Sequence, residues 1–307
     1  MKQKNILTLS VITFNSQWGD KKTNLNNILE YIDSCAKKGS QFIVFPEMSL
    51  TGYDDETNKL LKEKMQYKLA EKIPGPSTQV IEKKAIQYGV YVAIGMPEKD
   101  PYKDDIVYNS LAIFSPKGLE GSYRKMHLPN PEPNWAKRGS KPFILNTPWG
   151  PIGYSICYDN YRFPELRRYY TAMGCRLNVN STALPDLPGK SYMGKTTLEA
   201  GVFQDDIYIA TANLGGLDLY NQFLGGSSIM GPSHWLGTNK EFEPYYYSGK
   251  KFTDKDAKEA NIYTSTINLS LAQRKFYIPN EKTGIVDWRP KEYLKMLKNY
   301  LDTKNNR

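Results

Sequence analysis

The chain has 307 residues, 40% of them hydrophobic and 24% charged, enough to bury a large core in one domain. No apolar run is long enough to cross a bilayer, and three cysteines are too few for a disulfide framework, so a reducing, cytoplasmic setting is expected. The net charge of +9 would suit nucleic acid, but the lysines interleave with Glu and Asp, as in 59–72 and 250–259, which favours a solvated surface over a phosphate-tracking stripe.

Residues 6–14 alternate apolar and polar side chains and read as a first strand. The basic start before them leads into no sustained apolar segment, so a signal peptide is not expected. After Asn24, the residues Leu25, Ile28, Leu29, Ile32, Cys35 and Ala36 form a helical stripe that stops at Gly39, which gives Cys35 a packing role. Residues 42–45 are uniformly apolar, the mark of a strand covered on both faces, and they stop at Pro46-Glu47. A second helix opens at Pro74-Gly75-Pro76-Ser77 with Ser77 as its cap. It carries Val80, Ile81, Ala85 and Tyr88 and closes at Gly89, before a strand over 90–95.

This alternation predicts an α/β layer architecture. A hairpin follows, with strands over 109–114 and 119–123 around a turn at 115–118. Strands over 151–157, 177–180 and 208–212 alternate with helices over 163–173 and 194–204. The first of these helices sets Leu166, Tyr169, Tyr170 and Met173 on one side. A short strand lies between turns at 225–226 and 231–232, residues 239–258 read as a polar, tyrosine-rich surface excursion, and 262–268 is the last strand. No linker or repeat interrupts the chain, so 1–276 reads as one domain. Residues 277–307 read as an extension that wraps the domain or meets a partner subunit, with 303–307 loose.

Cys157 stands in Gly153-Tyr-Ser-Ile-Cys-Tyr-Asp159, where an apolar strand gives way to a turn. A strand end holds a side chain rigidly at a cleft, which suits a nucleophile, and a thiol is reactive enough to be one. It needs a base and an oxyanion donor. Glu47 emerges just past a buried strand and is a candidate proton acceptor; the alternative is a cap or a surface ion pair. Lys125, in Tyr123-Arg-Lys-Met-His-Leu-Pro129, would lower the pKa of a neighbouring thiol and stabilise an oxyanion; the alternative is a solvated Arg-Lys pair. His127 is a rival base, although Met126 and Leu128 suggest packing and no acid is clearly placed to orient it. His234 suits a turn. Two histidines exclude a histidine-rich metal site, while a carboxylate site stays open, and no zinc-finger, P-loop or Gly-x-Gly-x-x-Gly spacing occurs. In open α/β sheets, strand ends converge on one crevice, which would bring Glu47, Lys125 and Cys157 together.

Taken in order, these segments resemble the nitrilase, or carbon–nitrogen hydrolase, superfamily. The likeness is carried by Phe45-Pro-Glu-Met-Ser-Leu-Thr-Gly-Tyr53, by Tyr123-Arg-Lys-Met-His-Leu-Pro129, and by Gly153-Tyr-Ser-Ile-Cys-Tyr-Asp159 with Arg162-Phe-Pro-Glu165. Supporting matches are Gly174-Cys-Arg-Leu177, Ala212-Asn213 with Gly215, and Gly226-Ser-Ser-Ile229. The resemblance runs from about residue 5 to about residue 270. It implies a four-layer α-β-β-α sandwich, a homodimer or higher homo-oligomer, and a reaction that needs no metal or organic cofactor. It makes Glu47 the general base, Lys125 the transition-state stabiliser and Cys157 the nucleophile. Glu132, between prolines in Asn130-Pro-Glu-Pro-Asn134, becomes the supporting carboxylate.

The reaction so implied is hydrolysis of a non-peptide carbon–nitrogen bond in a small linear amide or N-carbamoyl compound, through a cysteine thioester, with release of ammonia or an amine. Lys125 and the backbone N–H of Tyr158 would hold the oxyanion. A nitrile is the alternative substrate, disfavoured because Tyr158-Asp159 stands where nitrile-hydrolysing relatives commonly carry Trp-Glu. A nitrilase-fold binding or assembly module without activity is the alternative of another class. Tyr53, Trp135, Tyr158, Tyr161, Asn180 and Ser181 are candidate substrate-binding residues because they lie near strand ends or the Lys125 loop. Two departures from the family pattern stand out. The stretch from Cys157 to Glu165 is one residue longer, which alters the wall beside Cys157, and Glu199 replaces an arginine, which puts a salt bridge of the usual polarity in doubt.

Overall fold

In the computed structural model, which describes residues 3–233 and 244–305, strand β1 (Ile6–Thr13) serves two cores at once. Leu7, Leu9 and Val11 enter one apolar cluster, and Ile12 enters another. Strand β2 (Phe42–Val44) does the same, with Phe42 and Val44 on one side and Ile43 on the other, as its unbroken apolar run predicts. Helix α1 (Lys21–Lys37) begins before Asn24, because the Asp20 carboxylate accepts from the Thr23 N–H at 3.0 Å and caps it. A short α2 (Met65–Leu69), unread from the sequence, precedes α3 (Pro76–Tyr88). Ser77 does not cap α3. Gly75 holds the cap position, and Ser77 already lies in the first turn, where its N–H and Oγ donate to Glu71 at 2.8 and 2.7 Å. An upstream glutamate thus supplies the acceptor that the sequence assigns to serine.

Strands β3 (Tyr91–Lys99), β4 (Val107–Ser115) and β5 (Gly118–Arg124) complete the first sheet, in the order β12-β1-β2-β3-β4-β5. Here β12 spans Asn261–Asn268 and pairs antiparallel with β1. The second sheet contains β6 (Ile144–Thr147), β7 (Gly150–Ile156), β8 (Leu177–Thr182), β9 (Tyr208–Asn213), β10 (Ser228–Gly231) and β11 (Tyr245–Gly249), and its order reverses that sequence. Each sheet has a parallel centre and antiparallel flanks. The two are stitched face to face by polar contacts, Thr13 Oγ1 to Ser227 Oγ at 2.8 Å and Ser181 Oγ to the Phe45 carbonyl at 2.7 Å. Helices α1 and α3 cover the first sheet; α5 (Pro164–Ala172) and α6 (Lys190–Asp205) cover the second. The result is the expected four-layer α-β-β-α sandwich. Gly153 lets α5 lie close: a Cβ there would stand 2.4 Å from the Tyr170 ring, whose hydroxyl donates to the Tyr154 carbonyl at 2.6 Å.

Several expectations change. Leu166 and Tyr170 are buried, but Tyr169 and Met173 are exposed. The inward face of α5 is instead completed by Arg167, buried because it pairs with Asp205 at 2.5 Å and donates to Asn160 Oδ1 at 2.9 Å. A satisfied ion pair has displaced the apolar stripe. Glu199 pairs with Lys195 on its own helix at 2.8 Å and accepts from the Tyr246 hydroxyl, so the site where relatives carry arginine keeps a bridge of opposite sign. Part of the expected excursion at 239–258 is the edge strand β11, while His234 lies outside the described residues. Beyond 276 the chain forms α7 (Pro290–Asn305), so residues 303–305 are helical rather than loose.

Candidate active site

Three strand ends meet at one edge of the sandwich. Glu47 follows the end of β2, Lys125 immediately follows β5, and Cys157 immediately follows β7. Gly95 of β3 places the Glu47 turn: its N–H donates to the Pro46 carbonyl at 3.2 Å, and its carbonyl accepts from Leu50 N–H at 3.2 Å. Cys157 sits at φ +46°, in a region that non-glycine residues rarely occupy, and its N–H donates to the Ser181 carbonyl at 2.9 Å. A short helix α4 (Tyr158–Arg162) begins at once and holds the extra residue of this segment.

Lys125 is fully buried between two fully buried carboxylates. Its ammonium donates to Glu47 Oε1 at 2.6 Å and to Glu132 Oε1 at 2.5 Å. Both carboxylates have further protein partners. Glu47 Oε2 accepts from Ala183 N–H at 2.9 Å, and Glu132 Oε1 accepts from the Tyr53 hydroxyl at 2.5 Å. Asn109, inside β4, donates to Glu47 Oε1 at 2.7 Å and leans on Glu132 Oε2 at 3.4 Å. One ammonium cannot neutralise two carboxylates, so the cluster carries surplus negative charge in a dry place. Burial pushes the Glu132 carboxyl up to about 7, with Lys125 pulling down and Glu47 pushing up. Burial works against the ammonium, but the charges of Glu132 and Glu47 overcome it and hold its pKa above the usual lysine range.

The thiol feels opposing influences. Lys125 does pull its pKa down, but burial and the Glu47 charge dominate and push it up to about 12. The resting group is therefore a neutral thiol, and its proton must leave as it attacks. The hydroxyl of Thr182 also acts on the thiol and on the Tyr161 phenol, yet its Oγ1 makes no full hydrogen bond.

The candidate binding residues divide. Tyr53, Tyr158 and Tyr161 line a cleft of about 400 Å³ that opens onto Cys157. Trp135 does not line it; the indole is buried with Met48, Val107, Leu128 and Ala136. Asn180 and Ser181 are fully buried behind the cleft, Ser181 tying β8 to the opposite sheet and Asn180 donating to Thr211 Oγ1 at 2.8 Å. His127 does have an acid partner: Asp159 accepts from its backbone N–H and lies 2.8 Å from its Nδ1, while the ring stacks on Phe163. It braces the turn after Cys157 and does not line the cleft. Sequence reasoning missed Asn109, whose position inside a strand gives no sign of function. It also missed a reciprocal clasp in which Asp218 accepts from Tyr53 and Asp54 N–H at 2.6 and 2.8 Å, while Asp54 accepts from Tyr220 and Asn221 N–H at 2.8 Å. That clasp fixes the segment from which Tyr53 reaches Glu132.

Glu132 also gives a pH signature. Its folded pKa, raised to about 7 from an ordinary 4.5, makes its contribution to stability full below 4.5 and progressively lost as pH rises through 7. Glu132→Gln removes this part of the pH dependence, so urea midpoints at pH 5 and pH 8 lie closer together in the variant than in the parent. An unchanged difference would contradict the assignment.

A thiol beside a buried carboxylate–ammonium–carboxylate cluster, at the converging strand ends of an α-β-β-α sandwich, defines a thiol hydrolase of that fold class. A model of the carbon–nitrogen hydrolase family matches residues 8–234. A probable nitrilase of Schizosaccharomyces pombe is 31% identical over 218 residues, covering 70% of this chain and 76% of the relative. An omega-amidase of Xenopus laevis is 32% identical over 204 residues, covering 63% and 69%. Among solved structures, an amidase from Nesterenkonia sp. superposes with a TM-score of 0.69 over 89% of this chain and 94% of its own, at 19% identity, a likeness of fold. One variant of that amidase carries the acetamide moiety of fluoroacetamide covalently on its active-site cysteine. The chain belongs to the carbon–nitrogen hydrolase family of the nitrilase superfamily. It is thus an enzyme acting on carbon–nitrogen bonds, which sets aside the non-catalytic module. Among the described residues, no helix is long and apolar enough to cross a membrane.

Proposed function

We propose that the chain hydrolyses a small linear amide or N-carbamoyl compound through a thioester on Cys157. The observation that carries this reading is the buried Glu47–Lys125–Glu132 cluster beside a neutral thiol. Glu47 takes the thiol proton as Sγ attacks the carbonyl carbon. The oxyanion that forms is met by the Lys125 ammonium and by the N–H of Tyr158, which as the first residue of α4 has no intrahelical acceptor. Glu47 returns the proton to the leaving ammonia or amine, then activates the water that releases the acid. Glu132 holds the ammonium in place, and Tyr53 and Asn109 hold the carboxylates.

Ammonia release from a panel of amides, N-carbamoyl compounds and nitriles tests the proposal, with intact-mass trapping of the acyl adduct. Amides or carbamoyl compounds are expected to be turned over with an adduct on the parent protein, and Cys157→Ala is expected to lose both. Turnover of nitriles alone would favour the rival substrate; equal turnover with alanine at 157 would refute the nucleophile.

The same reading extends to assembly and setting. Residues 1–276 form the hydrolase domain and 277–307 an extension at a homodimer contact. Support comes from α7, where Leu294, Leu297 and Leu301 are all more than half exposed. Light scattering should give twice the 35.1 kDa chain mass, and Leu297→Glu should shift it toward the monomer. Cys35, Cys157 and Cys175 are all unpaired, which supports a reducing, cytoplasmic setting.

A further inference from the structure

The segment that carries Tyr53 depends on a distant loop. Residues 53–55 follow the Glu47 turn of the first sheet, whereas residues 214–227 connect β9 to β10 in the second. Within that connection, Phe223 N–H donates to the Gly216 carbonyl at 2.8 Å and Leu217 bridges Gln222, which folds residues 216–223 into a hairpin. Its tip is exposed at Leu217, Leu219 and Tyr220. Each loop supplies the acceptor for the other: Asp218 Oδ2 takes the N–H groups of Tyr53 and Asp54, and Asp54 Oδ2 takes those of Tyr220 and Asn221. Asn221 Nδ2 adds a bond to Asp54 Oδ1 at 2.5 Å, and the Tyr220 hydroxyl donates to the Asp55 carbonyl. The Tyr53 and Phe223 rings meet edge to face, with centroids 5.9 Å apart. The carbonyls of the Tyr53 segment are tied elsewhere: Trp18 Nε1 donates to that of Asp54 at 2.9 Å, and Gln66 of α2 donates to those of Tyr53 and Asp54 at 3.2 and 2.8 Å. Among the described residues, the N–H groups of Tyr53 and Asp54 have no acceptor but Asp218. At its far end, the Tyr53 hydroxyl donates to Glu132 Oε1, the oxygen that also receives the Lys125 ammonium. Contacts therefore run unbroken from an exposed hairpin to the buried cluster.

We propose that the 216–223 hairpin is a positioning device for the reaction, with Asp218 as its positioning residue, setting where the Tyr53 hydroxyl meets Glu132. The inference rests on the roles given to Glu132 and Lys125 above and adds to them a point of control at the surface. Asp218 does not line the cleft, so its influence must pass through Tyr53, which does. Without the phenol, Glu132 Oε1 has one donor fewer and draws the Lys125 ammonium more strongly to itself, at the expense of the charge left to meet an oxyanion. Because each loop holds the other, opening one half of the clasp releases both.

The test is a double-variant cycle on whichever amide, N-carbamoyl compound or nitrile the parent turns over. Asp218→Ala should lower kcat/KM by about tenfold, the size of one hydrogen bond to a charged group, and Tyr53→Phe by about the same. Acting through one phenol, the pair combined should again lose about tenfold rather than the roughly hundredfold of independent sites. Asp218→Asn should recover most of the loss. Its carboxamide oxygen can accept both N–H groups, and the oxygen that becomes NH2 has no partner among the described residues. Tyr220→Phe repeats the cycle from the exposed tip, where the fold is not at risk, with about a threefold loss alone and none in the Tyr53→Phe background. Amide hydrogen exchange needs no turnover: Asp218→Ala should expose the N–H groups of Tyr220 and Asn221 as well as those of Tyr53 and Asp54, although Asp54 is untouched. Unchanged turnover in Asp218→Ala, losses that multiply in the combined variants, or exchange confined to Tyr53 and Asp54 would overturn the inference and leave the amidase reading intact. Parent-like turnover in Glu132→Gln would instead refute the role of Glu132, and the inference with it, whatever the exchange shows.

Discussion

Lys125→Met should reduce ammonia release by about a hundredfold to a thousandfold, the effect of removing an oxyanion donor from a dry site. It should also destabilise the fold by about 3 kcal/mol or more, because it strips the counter-ion from two carboxylates buried on either side. The two losses can be separated. Adding Glu132→Gln to Lys125→Met removes one of the stranded charges and should restore part of the denaturation midpoint without restoring activity. Urea titration and steady-state kinetics on the single and double variants read both quantities. A Lys125→Met protein with normal turnover would show that the ammonium only balances charge.

Gly95→Ala should be as damaging from a position that touches no reacting atom. A Cβ at 95 would stand 2.4 Å from the Pro46 carbonyl oxygen, 2.4 Å from Met48 N and 2.6 Å from Glu47 Cα, all backbone. None of these atoms can rotate away, so the turn carrying Glu47 must shift. Overpacking of this kind costs about 1–3 kcal/mol, and displacing a base by about 1 Å costs about a hundredfold in rate. Activity measured at a temperature where the variant remains folded should fall far more than the change in melting temperature would suggest. Wild-type activity in Gly95→Ala would mean that the position of Glu47 is not set by β3.

The legible parts of this protein are those where chemistry follows local order. The strand at Phe42–Val44, the hairpin of β4 and β5, and the break after Ile156 all announce themselves by apolar runs ending in turn residues. Glu47, Lys125 and Cys157 are legible as candidates because each stands at or just past such an end. Trp135 is not legible in this way, because nearness in sequence to Lys125 says nothing about which way an indole points. Asn109 and the Asp54–Asp218 clasp escape a sequence reading for a different reason: their meaning lies in contacts across the fold, and Asp54 and Asn221 stand 167 residues apart in the chain. The net state of the thiol is hidden in the same way. A neighbouring lysine lowers a thiol pKa, but how deeply the pair is buried decides the net sign.

The pairing of Ile6 with Asn268 has a bearing on how the protein is made. Strand β1 leaves the ribosome long before its outer neighbour β12, so throughout most of translation one side of a central, strongly apolar strand has no partner. An open strand edge of that composition is a template for association with other nascent chains. Residues 261–268 therefore act as a late-arriving seal, and a ribosome that stalls before them would release a chain prone to aggregate even though Glu47, Lys125 and Cys157 had all been synthesised.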